Sequence, residues 1–92
     1  MKTYNMSIYG GSITNEIISE KISTDLEKFV SCDDKVTLDF SNVNLLTTTC
    51  IKKIFSKIKD KIPADIFFTK FCFINVNENL KIIINHGLED LY

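Results

Sequence analysis

Three consecutive threonines, Thr47-Thr48-Thr49, stand just before a segment whose apolar residues recur at helical spacing. The first turn of a helix has backbone N–H groups without partners and carries the positive end of the helix dipole. A hydroxyl in that turn is exposed, and a phosphate attached to it would accept hydrogen bonds from those N–H groups. Lys52 and Lys53, one turn later, would add charge stabilisation. The pattern fits a modification site, and it fits equally a threonine that only caps the helix.

Cys50, directly after the threonines, is the second candidate for chemistry. A thiol in the first turn of a helix beside lysines can act as a nucleophile. No general base lies nearby in the sequence, so we expect a buried core cysteine and no enzymatic activity. With His86 as the single histidine, a Ser-His-Asp triad or a histidine metal site lacks most of its parts.

The three cysteines are widely spaced, in neither a CxxC motif nor a metal-ligand pattern, so we expect no metal and no cofactor. Gly10-Gly11 matches no phosphate-binding loop and predicts a tight turn. We interpret Asp39 as a residue that orients a hydroxyl or caps the following loop. Asn75 and Asn77 are interpreted as turn and cap residues.

The first half of the chain reads as strand, helix, strand. Residues 3–9 alternate, with Tyr4, Met6 and Ile8 on one side, as in a half-buried strand. Ser12 can cap an amphipathic helix whose apolar positions run from Ile13 to Val30, among them Ile17. Residues 32–34 end that helix in a polar turn. Residues 36–40 are β-branched and apolar, which indicates a central strand.

The second half repeats the alternation. A helix opened by Thr47-Thr48-Thr49 has its inner stripe at Ile51, Ile54, Phe55, Ile58 and Ile62, and Pro63 stops it. Residues 66–76, rich in Phe and Ile, predict one long strand or two segments parted near Thr69-Lys70. A third helix covers residues 80–91, with Gly87 as a candidate C-terminal stop partway along.

The order β-α-β-α-β-α predicts an α/β fold, with a mainly parallel or mixed sheet of three or four strands and three helices. We expect one domain over residues 1–92. Binding sites in such folds lie beyond the carboxyl ends of the strands. That edge contains Gly10-Gly11, residues 41–49 and residues 75–77.

The segment LDFSNVNLLTTTCIKKIF, residues 38–55, resembles the STAS-like domain family of bacterial and phage proteins. The likeness lies in a strand ending in Asp-Phe-Ser, a valine two residues later, an aliphatic pair, small polar residues, and a helix containing Ile-Phe. A second similarity is INVNENLKIII, with an apolar strand end, spaced asparagines and an apolar helix. The resemblance implies a STAS-like fold over the whole chain.

In the wider superfamily, anti-sigma factor antagonists are phosphorylated at the start of this helix by a partner kinase, and the unphosphorylated form binds that partner. By position, Thr48 and Thr49 match this site, and Thr49 is the better match to the phosphoacceptor. The sequence departs from the antagonists in having Thr47 where an Asp usually precedes the pair, and Cys50 where Gly often follows it. Lys52 and Lys53 replace the acidic residues of many STAS-like relatives.

The resemblance thus implies a non-catalytic regulatory module that binds a protein, and a kinase-like ATPase regulator is the natural example. A homodimer is a further association that the sequence allows. The candidate partner-binding residues are Ser41, Asn42, Asn44, Thr47, Lys52 and Lys53. The alternative is a nucleic-acid-binding module that uses the lysine-rich outer face of the second helix.

Charge and composition limit the remaining classes. The 92 residues have a net charge of −1, which argues against nucleic acid or membrane as the main partner of the whole chain. The charge is uneven, with a local net of −4 over residues 12–34 and +4 over residues 47–62. This asymmetry would favour self-association or an oriented partner, although such runs are commonly the solvated faces of helices. Without an apolar leader or a membrane-length stretch, we expect a cytoplasmic protein.

Overall fold

The central strand of the main sheet is the apolar, β-branched run that begins at Val36. The computed structural model describes residues 2–32 and 34–92, and in this part of the chain the elements follow the order below. They are β1 (Lys2–Asn5), β2 (Ser12–Ile13), α1 (Glu16–Glu27), β3 (Val36–Asp39), β4 (Leu45–Leu46), α2 (Thr48–Lys59), α3 (Ala64–Lys70), β5 (Phe71–Ile74) and α4 (Glu78–Leu91). The α/β class is confirmed.

Strand β3 lies between β1 and β5, and both neighbours run parallel to it. The side chains of Val36 and Leu38 are completely buried. Strand β3 is therefore the central strand that the sequence predicts. The described ranges contain two parallel sheets, because β2 and β4 pair separately as a short two-stranded unit.

The helices pack on one face of the three-stranded sheet. Tyr4, Leu38 and Phe73 are register partners on neighbouring strands. The ring of Tyr4 contacts Phe29, which follows α1, and the ring of Phe73 contacts Phe55 in α2. The adjacent register row points to the opposite face, since side chains alternate along a strand. In that row Cys72 is exposed. The other members of that row are Thr3, which is exposed, and Thr37 on the central strand, which is buried. The helices that carry or adjoin Phe29 and Phe55 thus form one layer and the sheet forms another.

The first strand is shorter than predicted. Strand β1 ends at Asn5, and Met6 is still buried, but Ile8 is 57% exposed. The chain turns because the Gly10 N–H donates to the Ser7 carbonyl oxygen at 2.8 Å, and Gly10 has a φ of 118°. Gly10 therefore forms the predicted turn, in a backbone region that other residues rarely adopt.

Helix α1 begins later than predicted, because Asn15 and not Ser12 is its cap. The Asn15 side-chain oxygen accepts a hydrogen bond from the Ile18 N–H at 2.9 Å. Ser12 and Ile13 belong to β2, so both predictions for them as helical residues were wrong. Ile17 was wrong as a core residue, since it is 71% exposed.

After α1, the residues predicted as the end of the first helix form a turn that is tighter than an α-helical turn. The N–H groups of Lys28, Phe29 and Val30 each donate to a carbonyl three residues earlier, which is the pattern of a tightened last turn. The polar turn predicted at residues 32–34 includes Asp33, which lies outside the described residues. None of the helices in the described ranges is long and apolar enough to cross a bilayer.

The segment from Ile66 to Lys70 is helical, so the prediction of a strand there was wrong. Phe67 donates its N–H to the Pro63 carbonyl oxygen at 2.9 Å, and the Thr69 hydroxyl donates to the Asp65 carbonyl oxygen at 2.8 Å. The Phe67 ring is completely buried against Phe55 and Phe71. A short apolar run is compatible with either helix or strand, and here aromatic packing determines the helix. The predicted parting near Thr69-Lys70 coincides with the boundary between α3 and β5.

Gly87 lies inside α4 and does not stop it. Helix α4 continues to Leu91, and Gly87 is buried where α4 meets α2. A Cβ atom on Gly87 would lie 2.3 Å from Ile51 Cγ2, much closer than two carbon atoms approach. The absence of a side chain at Gly87 therefore permits the close approach of the two helices.

We expect Gly87→Ala to lower the free energy of unfolding. Alanine favours the helix by about 1 kcal/mol over glycine, but overpacking at Ile51 costs about 1–3 kcal/mol, so we expect a net loss of up to about 2 kcal/mol. Urea denaturation measures the change, with His86→Ala, an exposed neighbour, as the control. A stabilised Gly87→Ala variant would contradict the packing explanation. In an Ile51→Ala background the loss should shrink.

Candidate functional site

The first part of the site is a hydrogen-bonded cluster at the carboxyl ends of β3 and β5. One Asp39 carboxylate oxygen accepts from the Ser41 N–H and from the Asn75 side-chain amide, both at 2.9 Å. The Asn75 hydrogen bond is the main reason why the pKa of Asp39 lies below its usual value, and the Ser41 N–H adds to the effect. Asn75 has a φ of 57°, which a non-glycine residue rarely adopts and asparagine tolerates best. Asp39 therefore caps the following loop, one of its two predicted roles.

The loop after β3 carries the exposed residues Ser41, Asn42 and Asn44. Its backbone is held by Gly11, whose carbonyl oxygen accepts from the Asn44 N–H at 2.8 Å and the Leu45 N–H at 3.2 Å. A Cβ atom at Gly11 would lie 2.5 Å from the Asn42 carbonyl oxygen, so a larger residue would push the loops apart. The structure thus presents these three candidate residues on a loop with a fixed backbone.

The second part of the site is the start of α2, which begins two residues after the short strand β4. Thr47 is the N-cap, and its hydroxyl oxygen accepts from the Cys50 N–H at 3.2 Å. Thr48 is half-buried and Thr49 is exposed. The predicted helix start is confirmed, and the three hydroxyls differ in their surroundings, because Thr47 is engaged in the cap.

Thr49 borders a shallow depression of about 270 Å³ between α1 and α2. Glu16, Lys52 and Lys53 line the same depression. Lys52 pairs with Asp90 at 2.5 Å, whereas Lys53 lies 3.9 Å from a Glu20 oxygen. The Lys53 ammonium is thus only loosely held. Around the Thr49 position lie two lysines, the Glu16 carboxylate, and the carboxylates of Asp90 and Glu20 that pair with the lysines.

Cys50 is a core residue, as predicted. Its side chain is only 4% exposed, and its sulfur lies 3.8 Å from the Asn15 carbonyl oxygen. A nucleophilic thiol must be reachable by its substrate. The burial of Cys50 therefore opposes the nucleophile hypothesis.

The lysine face of α2 is opposed by acidic residues of neighbouring helices. Lys57 and Lys61 pair with Glu27 at 3.8 and 2.8 Å. The Lys61 hydrogen bond holds the pKa of Glu27 below its usual value, and Lys52 does the same for the pKa of Asp90. The local charges of −4 and +4 in the sequence thus meet across a helix interface. This pairing reduces the positive potential that a nucleic acid would require.

No group of three His, Cys, Asp or Glu side chains in residues 2–32 and 34–92 is arranged to hold a metal ion. Cys32, Cys50 and Cys72 carry free thiols.

Two residues shape the site in ways that the sequence did not predict, although Gly11 was expected at this edge of the sheet. Gly11 fixes the loop after β3, and Asn15 caps α1 beside Cys50. A signal for Asn15 was present, because Asn followed by Glu is common at a helix start. No sequence signal marks the approach of Gly11 to Asn42, since the contact joins two distant loops.

A protein-family model described as a STAS-like domain of unknown function matches residues 13–81. The match runs from the last residue of β2 to the first residues of α4. The chain therefore belongs to the family of STAS-like domains of unknown function. No curated protein and no solved structure matches the chain.

The cap at Thr47 predicts different effects for the threonines. Thr47→Ala removes an N-cap and should lower the free energy of unfolding by about 1 kcal/mol. Thr49→Ala, at an exposed position, should stay within about 0.5 kcal/mol of the unmodified protein. Chemical denaturation of both variants measures the difference. Equal effects would contradict the assignment of the cap to Thr47.

The Asp39 cluster predicts a titration shift. Asn75→Gly removes the amide but tolerates the positive φ, so the pKa of Asp39 should rise towards its usual value. Carboxyl NMR titration measures this rise. A depressed folded-state pKa contributes stability above the unfolded pKa, and this contribution is lost as the pH falls through the folded pKa. In Asn75→Gly, the free energy of unfolding should therefore fall less steeply as the pH is lowered below about pH 4. An unchanged Asp39 titration would contradict the role of Asn75.

Proposed function

We propose that this protein is a non-catalytic regulatory module that binds another protein through the edge from Ser41 to Lys53. The observation that carries the proposal is the division of roles in the first turn of α2, where Thr47 caps the helix and Thr49 remains exposed. In many complexes the interface backbone moves little on binding. The loop held by Gly11 and the capped helix start offer accessible polar groups on a backbone of this kind.

We further propose that Thr49 is the phosphoacceptor and that its phosphorylation switches binding. Three features favour Thr49 over its neighbours. The Thr47 hydroxyl is used in the cap, Thr48 is half-buried close to Gly87, and no group in the described ranges bonds the Thr49 hydroxyl. Thr48 is the second candidate acceptor.

A phosphate on Thr49 would change the charge of the edge in a defined way. It would add about −1.5 to −2 charges at the positive end of the α2 dipole, where backbone N–H groups and Lys53 can stabilise it. It would also stand next to Glu16 and compete with Glu20 for Lys53. The surface offered to a partner at this position would therefore become more negative, and a hydroxyl would be replaced by a phosphate. By family analogy, the partner is a kinase-like ATPase regulator in the cytoplasm.

The kinase test uses extract from the native host and Mg-ATP, followed by mapping of phosphorylated residues by mass spectrometry. Phosphate should appear at Thr49 and disappear in Thr49→Ala. Thr24, exposed on α1, serves as the internal control and should remain unmodified. Absence of phosphate from both Thr48 and Thr49 would remove the switch.

The binding test compares immobilised forms of the protein in the same extract. The unmodified protein and Thr49→Ala should retain the same partner, whereas Thr49→Glu should weaken its binding by about tenfold or more through the added charge. Thr24→Glu is the matched control for charge and should bind normally. Equal retention by Thr49→Glu would contradict the proposed binding edge.

A further inference from the structure

A trough runs between α3 and α4 beside the edge strand β5. It consists of two adjoining depressions of about 260 and 330 Å³, which share Phe68, Asn85 and Leu88. The remaining lining residues are Phe73, Val76, Lys81 and Ile84 at one end and Ala64, Glu89 and Tyr92 at the other. We call this surface the α3–α4 trough.

The middle of the α3–α4 trough is apolar and open to water. The ring of Phe68 is 55% exposed, although one side of it rests on Phe67 and Tyr92, with centroid separations of 5.0 and 5.9 Å. Such a ring is held in place by other rings but is half exposed to water. Covering it with a second apolar surface lowers the free energy.

The two ends of the trough carry opposite charges. Lys81 lines one end and Glu89 the other, and eight residues of helix separate them by about 12 Å along the axis. No opposite charge in the described part of the chain lies within 4.0 Å of either group, whereas the lysines of α2 near Thr49 are paired with carboxylates. Lys81 and Glu89 are therefore among the helix charges that remain available to another molecule.

The arrangement of these groups is complementary to itself. Asn85 lies four residues from Lys81 and four residues from Glu89, so a two-fold axis through Asn85 would place each Lys81 opposite Glu89 of a second copy. In a two-fold interface every contact occurs twice, once from each side. Asn85 could then bond its own counterpart, because a side-chain amide both donates and accepts.

We propose that the α3–α4 trough is a homodimer interface in which two copies pack α4 antiparallel to α4. The ring of Phe68 lies next to Asn85 and is buried near the axis, and two reciprocal Lys81–Glu89 pairs close the ends. The charges select a second copy, since the antiparallel alignment joins both unpaired charges of each chain to opposite charges of the other. This interface uses none of the residues proposed for phosphorylation or partner binding.

The test exchanges the charges at Lys81 and Glu89. Sedimentation equilibrium of the whole chain over a range of concentrations then measures the dimer dissociation constant. Lys81→Glu or Glu89→Lys alone replaces both attractive pairs by repulsive ones and should raise the dimer dissociation constant by about tenfold or more. The double variant Lys81→Glu/Glu89→Lys restores both pairs in reverse and should return to within about threefold of the unmodified protein. Raised salt should weaken the dimer.

The matched control is Lys59→Glu, which makes the same charge change at an exposed position of α2 and should leave dimerisation unchanged. Circular dichroism of each variant verifies that the fold is retained. A protein that stays monomeric at all concentrations would overturn the proposal. So would a dimer that the single exchanges leave intact or that the double exchange fails to restore, as expected if a different protein occupies the trough.

Discussion

The burial of one face of α2 is the interaction on which the rest of the structure depends. Ile51, Ile54, Phe55 and Ile58 are completely buried, and each such side chain contributes about 1.5–3 kcal/mol. Helices α1 and α4 pack on either side of α2, and the sheet lies beneath it. The position of the candidate site is therefore fixed by the core, because the first residues of this anchored helix are the threonines.

The charges on the helices have a different role from the core. The pairs between α1 and α2 join side chains that are partly exposed, and pairs of this kind contribute at most about 1 kcal/mol each. Their main effect is on the surface potential, because they neutralise most of the lysine face. Two local charge features remain. Lys53 near Thr49 is only loosely held, and Lys81 and Glu89 lie at the ends of the α3–α4 trough.

The sequence predicted those parts of the structure that depend on local patterns. The apolar period of α2, the β-branched run of β3 and the threonine cap could all be recognised. The helix at Ile66–Lys70 could not, because contacts of Phe67 with distant rings determine it. Gly87 was misread for a similar reason, since its role depends on Ile51. In the site, a threonine cap at the start of α2 was predictable, although not which threonine forms it. The Asp39–Asn75 hydrogen bond was not predictable, because it joins the ends of two strands far apart in the chain.

The parallel topology has a consequence for how the chain folds. Lys2 pairs with Val36 and Val36 with Phe71, so each ladder of the main sheet closes a loop of more than thirty residues. No hairpin can nucleate this sheet, and loop closure precedes any gain from pairing. The main sheet is therefore completed only after β5 has been synthesised. Until then, β3 lacks its hydrogen-bonding partner on the side that β5 later occupies.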